Sequence, residues 1–592
     1  MTDTTRGDRA PTAPHARRSG SGNPGSPGGT QRSGRLRRRA LPAAVLAAAA
    51  FAVGLIVGSG GDDGRDAVTA YARAWATGDW AAMHAQLTPA AQERIGLLPF
   101  AAAERSALAT ATASDRSVST GEPKDLGNDR WRVPITVRTR IFGTVKGTVV
   151  IPVSQDGDSR RVDWKPRLVF PDLRDGERLT RRTEMPERGT LTARDGTPLA
   201  QGAGRTSPIP DVAGQVVGKL GPISDVEAAR VSQLGVPPTA KVGTGGLERV
   251  FDDRLGGLPS GVLLAGDRVI ARAQGRAGER VRTTIDPALE RAAVTALAGR
   301  YGGAVAFDPR SGAVLAYAGA PFSLLQPPGS TFKVITTAGA LEQGVTKITS
   351  TFPYESKAVL SGVPLSNAGG EVCGGTLVQA FAVSCNSVFA PLGAKLGAQR
   401  LVQTAEAFGF NRPAAFPIVA QSTIPQADAI GDDLAVGSSA IGQGQVQATA
   451  VQMAEAAGVI ANRGRRRPLT LDLATARQAK PGAGERVISA TTARRMQRLM
   501  LAVVAGGTGT AAQIPGVPVA GKTGTAELKS RDPGDTTTNP QDTDAWFVAY
   551  APAAPGRTPR IAVGVLLVGA GAGGDSAAPV AHDILVAGLQ RG

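Results

Sequence analysis

Cysteine and histidine are nearly absent from the 592 residues. There are two cysteines, Cys373 and Cys385, and three histidines, His15, His84 and His582. No Cys/His cluster has zinc-like spacing. A Ser-His-Asp triad would need His582, which falls in a predicted terminal helix. Metal and histidine chemistry are therefore disfavoured before any motif is read, and no cofactor is expected. Aromatics make up only 4% of the chain. Lysine is also scarce: 12 of the 66 basic residues, the other 54 being arginine, a bias of genomic composition rather than of function. The net charge of +17 lacks the concentrated stripe of a nucleic-acid footprint. Residues 1–39 hold nine Arg against two Asp, and the rest of the excess is diluted over the chain with no basic run interleaved with aromatics. Nucleic acid is not an expected partner.

What is present is length and apolar content. At 592 residues and 42% hydrophobic, the chain predicts several domains with real cores. Residues 1–34, rich in Gly, Pro, Ser, Thr and Arg, read as disordered. Arg35-Leu36-Arg37-Arg38-Arg39 then leads into an uncharged apolar run over 40–58. Nineteen residues at about 1.5 Å each match a ~30 Å hydrocarbon core. Arginines before the run, with Asp62 and Asp63 after it, predict a cytoplasmic N-terminus and an exported remainder. A cleaved signal peptide would have a shorter lead and a shorter apolar region. With no cysteine directly after the span, a lipid-modified N-terminus is not expected.

Residues 62–175 predict a small α+β domain. Asp66–Ala76 reads as a helix with Ala67, Tyr71 and Trp75 on one face, and Asp79 is placed to cap a second. Arg130–Val153 alternates as two strands, and Val162–Phe170 reads as another. Residues 176–280 are irregular and rich in Gly and Pro, with short strands, among them one broken by a turn over 187–196, and a helical stretch near Gly246–Leu255. From 281 to 592 the pattern firms. Asp286 and Pro287 open a helix running to about Arg300. Gly303–Phe307 and Ala313–Ala318 form a hairpin, Ala545–Ala549 and Ile561–Val568 are strands, and Ala577–Leu589 closes the chain as a helix. Strands at both ends of a helical middle predict an antiparallel sheet packed by helices.

Three short motifs carry the chemistry. In Ser330-Thr331-Phe332-Lys333, the preceding Pro327-Pro328-Gly329 stops one segment and Val334–Leu341 continues as helix, so Lys333 lies one turn on from Ser330. A serine hydroxyl needs a base, and a lysine amine serves if burial and a second cation depress its pKa. Of the 12 lysines, only Lys333 has a serine three residues before it. Taken alone, the pattern is also a helix cap followed by a surface lysine. Ser384-Cys385-Asn386 reads as a turn between helices; Ser384 could relay protons and Asn386 could hold a substrate amide, although polar residues in such a turn are commonplace. In Lys522-Thr523-Gly524-Thr525, on a predicted strand, Lys522 would be the second cation and Thr523 a carboxylate ligand. Gly524 would admit close backbone approach, and Thr525, with Ser330, would supply the N–H groups of an oxyanion hole. Gly516 to Thr523 also matches the phosphate-loop pattern. Pro518 removes a donor from that cradle and a strand, not a helix, follows, so an NTPase is not expected.

Together the motifs resemble the class B penicillin-binding proteins. The resemblance extends to PPGSTFK (327–333), SCNSVF (384–389), IGQGQVQATAVQMA (441–454), AGKTGTAE (520–527) and DAWFVAYAP (544–552). ERGTLTARDGTPLA (187–200) and GLERVFDDRLGG (246–257) resemble that family's non-catalytic dimerisation-type domain. Residues 62–175 resemble the cone-shaped, nuclear-transport-factor-like extension of its methicillin-resistance type. Ala450 departs from the family's usual Pro after Thr449.

The resemblance implies a multidomain α+β protein ending in a penicillin-binding, serine β-lactamase-like fold: a five-stranded antiparallel sheet flanked by helices, plus an all-helical subdomain. It implies a membrane-anchored, extracytoplasmic D,D-transpeptidase that acts on peptidoglycan stem peptides, is acylated by β-lactams, and works beside a membrane glycosyltransferase and wall-synthesis or division proteins. Alternatives that use the same site are a D,D-carboxypeptidase, a β-lactamase and a non-enzymatic β-lactam-binding scaffold. In an oxidising compartment Cys373 and Cys385 are either a disulfide or two buried thiols.

Overall fold

The computed structural model describes residues 63–527 and 542–590. The expected basic tail and apolar run lie outside these residues. Among the described residues no helix is long and apolar enough to cross a membrane.

The first region builds a curved sheet against helices. Strands Val118–Thr120, Arg130–Arg138, Thr144–Asp156 and Ser159–Val162 pair antiparallel in that order. Trp131, Val133, Ile135 and Val137 alternate inward and are buried, as period-2 patterning requires. They meet Tyr71 and Trp75 of the helix Asp63–Thr77. Asp79 caps the next helix, Trp80–Ala85, by accepting the Ala82 N–H. Two further helices, Pro89–Arg94 and Leu97–Thr110, complete the layer. The strand expected over Val162–Phe170 is not formed. The ladder stops at Val162, and Pro166–Val169 is a 3-10 turn. Pro166 has no N–H to give a ladder, and its fixed φ suits the first position of a turn.

The middle region is more regular than its composition suggests. Leu179–Glu184, Leu258–Ala265 and Arg268–Arg276 make a three-stranded antiparallel sheet. Its Leu263, Ala265 and Ala273 join the core of the first region. The helical stretch near 246–255 is two short helices, Gly246–Val250 and Asp252–Gly256. The two motifs of this region meet: Arg188 bonds Glu248 at 2.7 Å and Asp252 at 2.8 Å, and Arg205 also reaches Glu248.

The last region opens with α1 (Pro287–Leu297), capped by Asp286, whose side chain accepts from Ala288 and Leu289. Strands β1 (Gly302–Phe307) and β2 (Val314–Gly319) follow. Then come α2 (Lys333–Glu342), α3 (Leu377–Ala382), α4 (Asn386–Leu396), α5 (Ala450–Ala461) and α6 (Ala490–Gly506). Strands β3 (Ala520–Glu527), β4 (Thr543–Ala551) and β5 (Ile561–Leu567) and helix α7 (Gly573–Gln590) close it. The five strands form one antiparallel sheet in the order β2-β1-β5-β4-β3. Helices α1 and α7 cover one face. On the other, α5 approaches so closely that a Cβ on Gly564 of β5 would lie 2.4 Å from the Ala450 carbonyl. Ala450 occupies the first position of α5 behind the Thr449 cap, where a missing proline costs no hydrogen bond.

Candidate active site

Nine consecutive residues of α2, Lys333 to Leu341, are buried. A helix surrounded on all sides is the reason its first residue, a lysine, is removed from water. Ser330 sits just before it in a 3-10 turn, Gly329–Phe332. That turn is braced by glycines. Gly329 (φ +50°) donates its N–H to the Gly442 carbonyl at 2.9 Å, and a Cβ on Gly442 would strike the Gly329 carbonyl. Gly524 of β3 faces the same turn, its would-be Cβ 2.9 Å from the Pro328 carbonyl. The strand can therefore press its motif against the serine only where no side chain intervenes. β3 is an edge strand of the sheet.

The structure brings the three motifs together. Lys333 Nζ lies 3.0 Å from Ser330 Oγ, 2.7 Å from the Ser384 carbonyl, 3.2 Å from Ser384 Oγ and 2.6 Å from Asn386 Oδ1. Lys522 Nζ donates to the same Ser384 Oγ at 2.8 Å and to the Thr523 carbonyl at 3.0 Å. The expected turn between α3 and α4 exists, and Ser384 occupies it with φ +64°. Thr523 Oγ1 is 2.6 Å from Thr508 Oγ1, and the Gly573 N–H donates to Thr525 Oγ1 at 3.4 Å. Cys373 and Cys385 are joined by a disulfide.

Both lysines are 0% exposed. Burial, and then the charge of Lys522, hold the Lys333 ammonium well below the usual lysine range. Burial also pulls Lys522 down to about 7. The phenyl rings of Phe389 and Phe381 stand 5.7 and 5.6 Å from the Lys333 and Lys522 nitrogens and keep water from them. Neither phenylalanine nor Thr508 was singled out from sequence: Phe389 lies within the quoted SCNSVF stretch, whereas Phe381 and Thr508 belong to no motif.

Proton counting shows what this arrangement can do. A neutral amine has two N–H groups and one lone pair. The Ser384 carbonyl and Asn386 Oδ1 can only accept, so they take both N–H groups. The lone pair then remains for a hydroxyl, and Ser330 Oγ is the nearer one. The orientation of Asn386 is fixed independently, because its Nδ2 donates to the Ser366 carbonyl at 2.9 Å.

Residues 302–586 match the family described as penicillin binding protein transpeptidase domain, and residues 64–177 match the NTF2-like N-terminal transpeptidase domain. The chain is 35% identical over 409 residues to the peptidoglycan D,D-transpeptidase PbpA of Mycolicibacterium smegmatis, covering 59% of this chain and 80% of that one. It is 25% identical over 455 residues to penicillin-binding protein 3 of Bacillus subtilis, covering 69% and 67%. Among solved structures, the D,D-transpeptidase domain of a peptidoglycan glycosyltransferase from Eggerthella lenta superposes with a TM-score of 0.54 at 30% identity, covering 68% of this chain and 98% of that one. The ceftriaxone acyl-enzyme of penicillin-binding protein A from M. tuberculosis gives 0.52 at 28%, covering 68% and 99%.

Proposed function

The chain belongs to the class B penicillin-binding proteins, the D,D-transpeptidases of peptidoglycan, and from that premise we propose that Ser330 is the nucleophile and Lys333 its base. The observation that carries this is the 3.0 Å contact between Ser330 Oγ and a buried amine whose two protons are already engaged. Lys333 takes the hydroxyl proton as Ser330 Oγ bonds to the carbonyl carbon of the penultimate D-Ala of a stem peptide. The C–N bond to the terminal D-Ala breaks, and the proton passes through Ser384 to the departing amine. An amine of a neighbouring stem attacks the acyl-serine and restores the hydroxyl. The N–H groups of Ser330 and Thr525 stabilise the oxyanion. Thr523 and Thr525 bind the substrate carboxylate, with Gly524 between them keeping the strand close to the serine turn, and Lys522 supplies positive charge. Asn386 orients the base and the substrate amide. A β-lactam acylates Ser330 by the same attack: its ring C–N bond breaks, and the protonated nitrogen stays tethered to the acyl group.

The same reading divides the chain into a cytoplasmic tail (1–39), a membrane span (40–58), the NTF2-like extension (62–175), a non-catalytic dimerisation-type domain (176–280) and the transpeptidase domain (281–592). It makes the enzyme single-pass, with its site outside the membrane. A membrane glycosyltransferase is the partner this reading requires, to supply the glycan strands whose stems are cross-linked. The decisive test is labelling of the full-length protein with a fluorescent penicillin, followed by peptide mapping. Ser330→Ala should abolish the adduct, and an adduct that persists on another residue would remove Ser330 from the role.

A further inference from the structure

The turn that carries Ser384 and Asn386 is not held by its own helices alone. Ser384 adopts the left-handed conformation that a Cβ disfavours. A residue stays there only where its surroundings over-determine it. Ser384 itself bonds Lys333, Lys522 and the Phe381 carbonyl, and its neighbours Cys385, Asn386 and Ser387 are tied to one stretch, residues 355–373, which has no role in the chemistry described so far. Its hairpin, Lys357–Leu360 with Val363–Ser366, brings the Ser366 carbonyl to Asn386 Nδ2. The next residue, Asn367, is 6% exposed and uses its whole side chain. Oδ1 accepts the N–H of Ser387, in the first turn of α4, at 2.8 Å. Nδ2 donates to the carbonyls of Glu355 and Glu371, at 2.7 Å each. One carboxamide thus ties both ends of the hairpin stretch to the helix that begins with Asn386. The disulfide from Cys373 pins Cys385, between Ser384 and Asn386, to the same stretch.

We propose that Asn367 is a positioning residue for acyl transfer: it holds the Ser366 carbonyl and the start of α4 in register, so that Asn386 presents Oδ1, not its NH2, to Lys333. The inference rests on reading Ser330 as nucleophile and Lys333 as base. Without the Asn367 carboxamide the hairpin loses its grip on α4. Asn386 is then free to rotate, and an NH2 turned to Lys333 offers no acceptor for the amine's second proton. Lys522 is the charged group that faces Lys333; its other close neighbours, Ser330, Ser384, Asn386 and Phe389, are neutral.

The test follows acylation of the full-length protein in detergent by excess fluorescent penicillin, over time and pH. The final amplitude counts competent molecules, and the rate constant reports the site in each of them. Asn367→Ala should lower the rate constant ten- to hundredfold at near-full amplitude. Its low-pH limb should move to more acidic pH, because an amine that has lost an oxygen acceptor holds its proton less tightly. Asn367→Asp keeps the shape and the acceptor for Ser387 but points an anion at two carbonyls; it should fall in the same direction, and it serves if the alanine variant does not fold. A wild-type rate constant and limb in either variant, whatever the amplitude, overturns the assignment. Ser330→Ala run alongside separates the two ideas. A label retained there sinks the underlying reading, whereas a label lost there and a normal rate at residue 367 sinks only the positioning role.

Discussion

Two regions of this chain bury ionisable side chains, and they do so to opposite ends. In the C-terminal region Lys333 is sealed beneath the Phe389 ring but surrounded by oxygens and faced by a second lysine. In the N-terminal region Glu104 is sealed among Tyr71, Phe100 and Trp164, and no cation pairs with it among the described residues. Burial pushes its carboxyl up to about 8, with the Trp164 indole offsetting only part of the shift. Desolvation disfavours the charged form in both places. For a lysine this favours the neutral amine, which can take a proton, and for a glutamic acid it favours the protonated carboxyl, which cannot act as a base. Burial alone therefore does not mark a site. A hydroxyl within reach of the neutral base does.

The largest expected effect breaks the comparison if it fails. Lys333→Met keeps the length and burial of the side chain and removes the amine, so acylation by a β-lactam should fall roughly a thousandfold, as measured by stopped-flow labelling. Normal acylation would make the two buried clusters alike, both merely structural.

Glu104→Gln sharpens the other side. A carboxyl with a folded-state pKa of about 8, against 4.5 unfolded, contributes fully below the unfolded value. That contribution is lost as pH rises toward 8. The variant should flatten the decline in stability between pH 5 and 8 by about 1.4 kcal/mol per pH unit. Penicillin labelling should be unchanged. Glu290, also raised to about 8, continues to contribute, so the slope should fall by one group rather than vanish. Melting followed by circular dichroism across that window is the measurement, and an unaltered slope would mean that Glu104 titrates normally.

The smallest effect sets the scale for an ordinary exposed carboxylate in the same region. Asp79→Ala removes the N-cap of Trp80–Ala85 and should cost about 1 kcal/mol, seen as a small fall in melting temperature.

Much of the architecture could be read locally. The alternation over 130–153, the Asp286-Pro287 helix start, the 302–319 hairpin and the terminal strands all follow from patterns within a few residues. The sheet of 179–184 with 258–276 escaped because its two outer strands are arginine-rich and half-exposed, and the central one, Leu258–Ala265, carries Pro259 and Gly261, so no clean period-2 signal marks them. Val162–Phe170 misled because its apolar residues straddle Pro166, and a ladder cannot pass through a residue with no donor.

The site divides the same way. One helical turn of chain is enough to put Lys333 beside Ser330, and Pro-Gly punctuation with a lysine three residues on is visible in letters. By itself the sequence determined which groups were available: a hydroxyl, two amines, a second serine and a carboxamide. Only the tertiary structure decided that Lys522 reaches a serine 138 residues away, that Phe381 and Phe389 keep the amines dry, and that a hairpin orients Asn386. The reason is physical. A side chain's chemistry is written in its own atoms, but its protonation state and aim depend on what the rest of the chain packs around it.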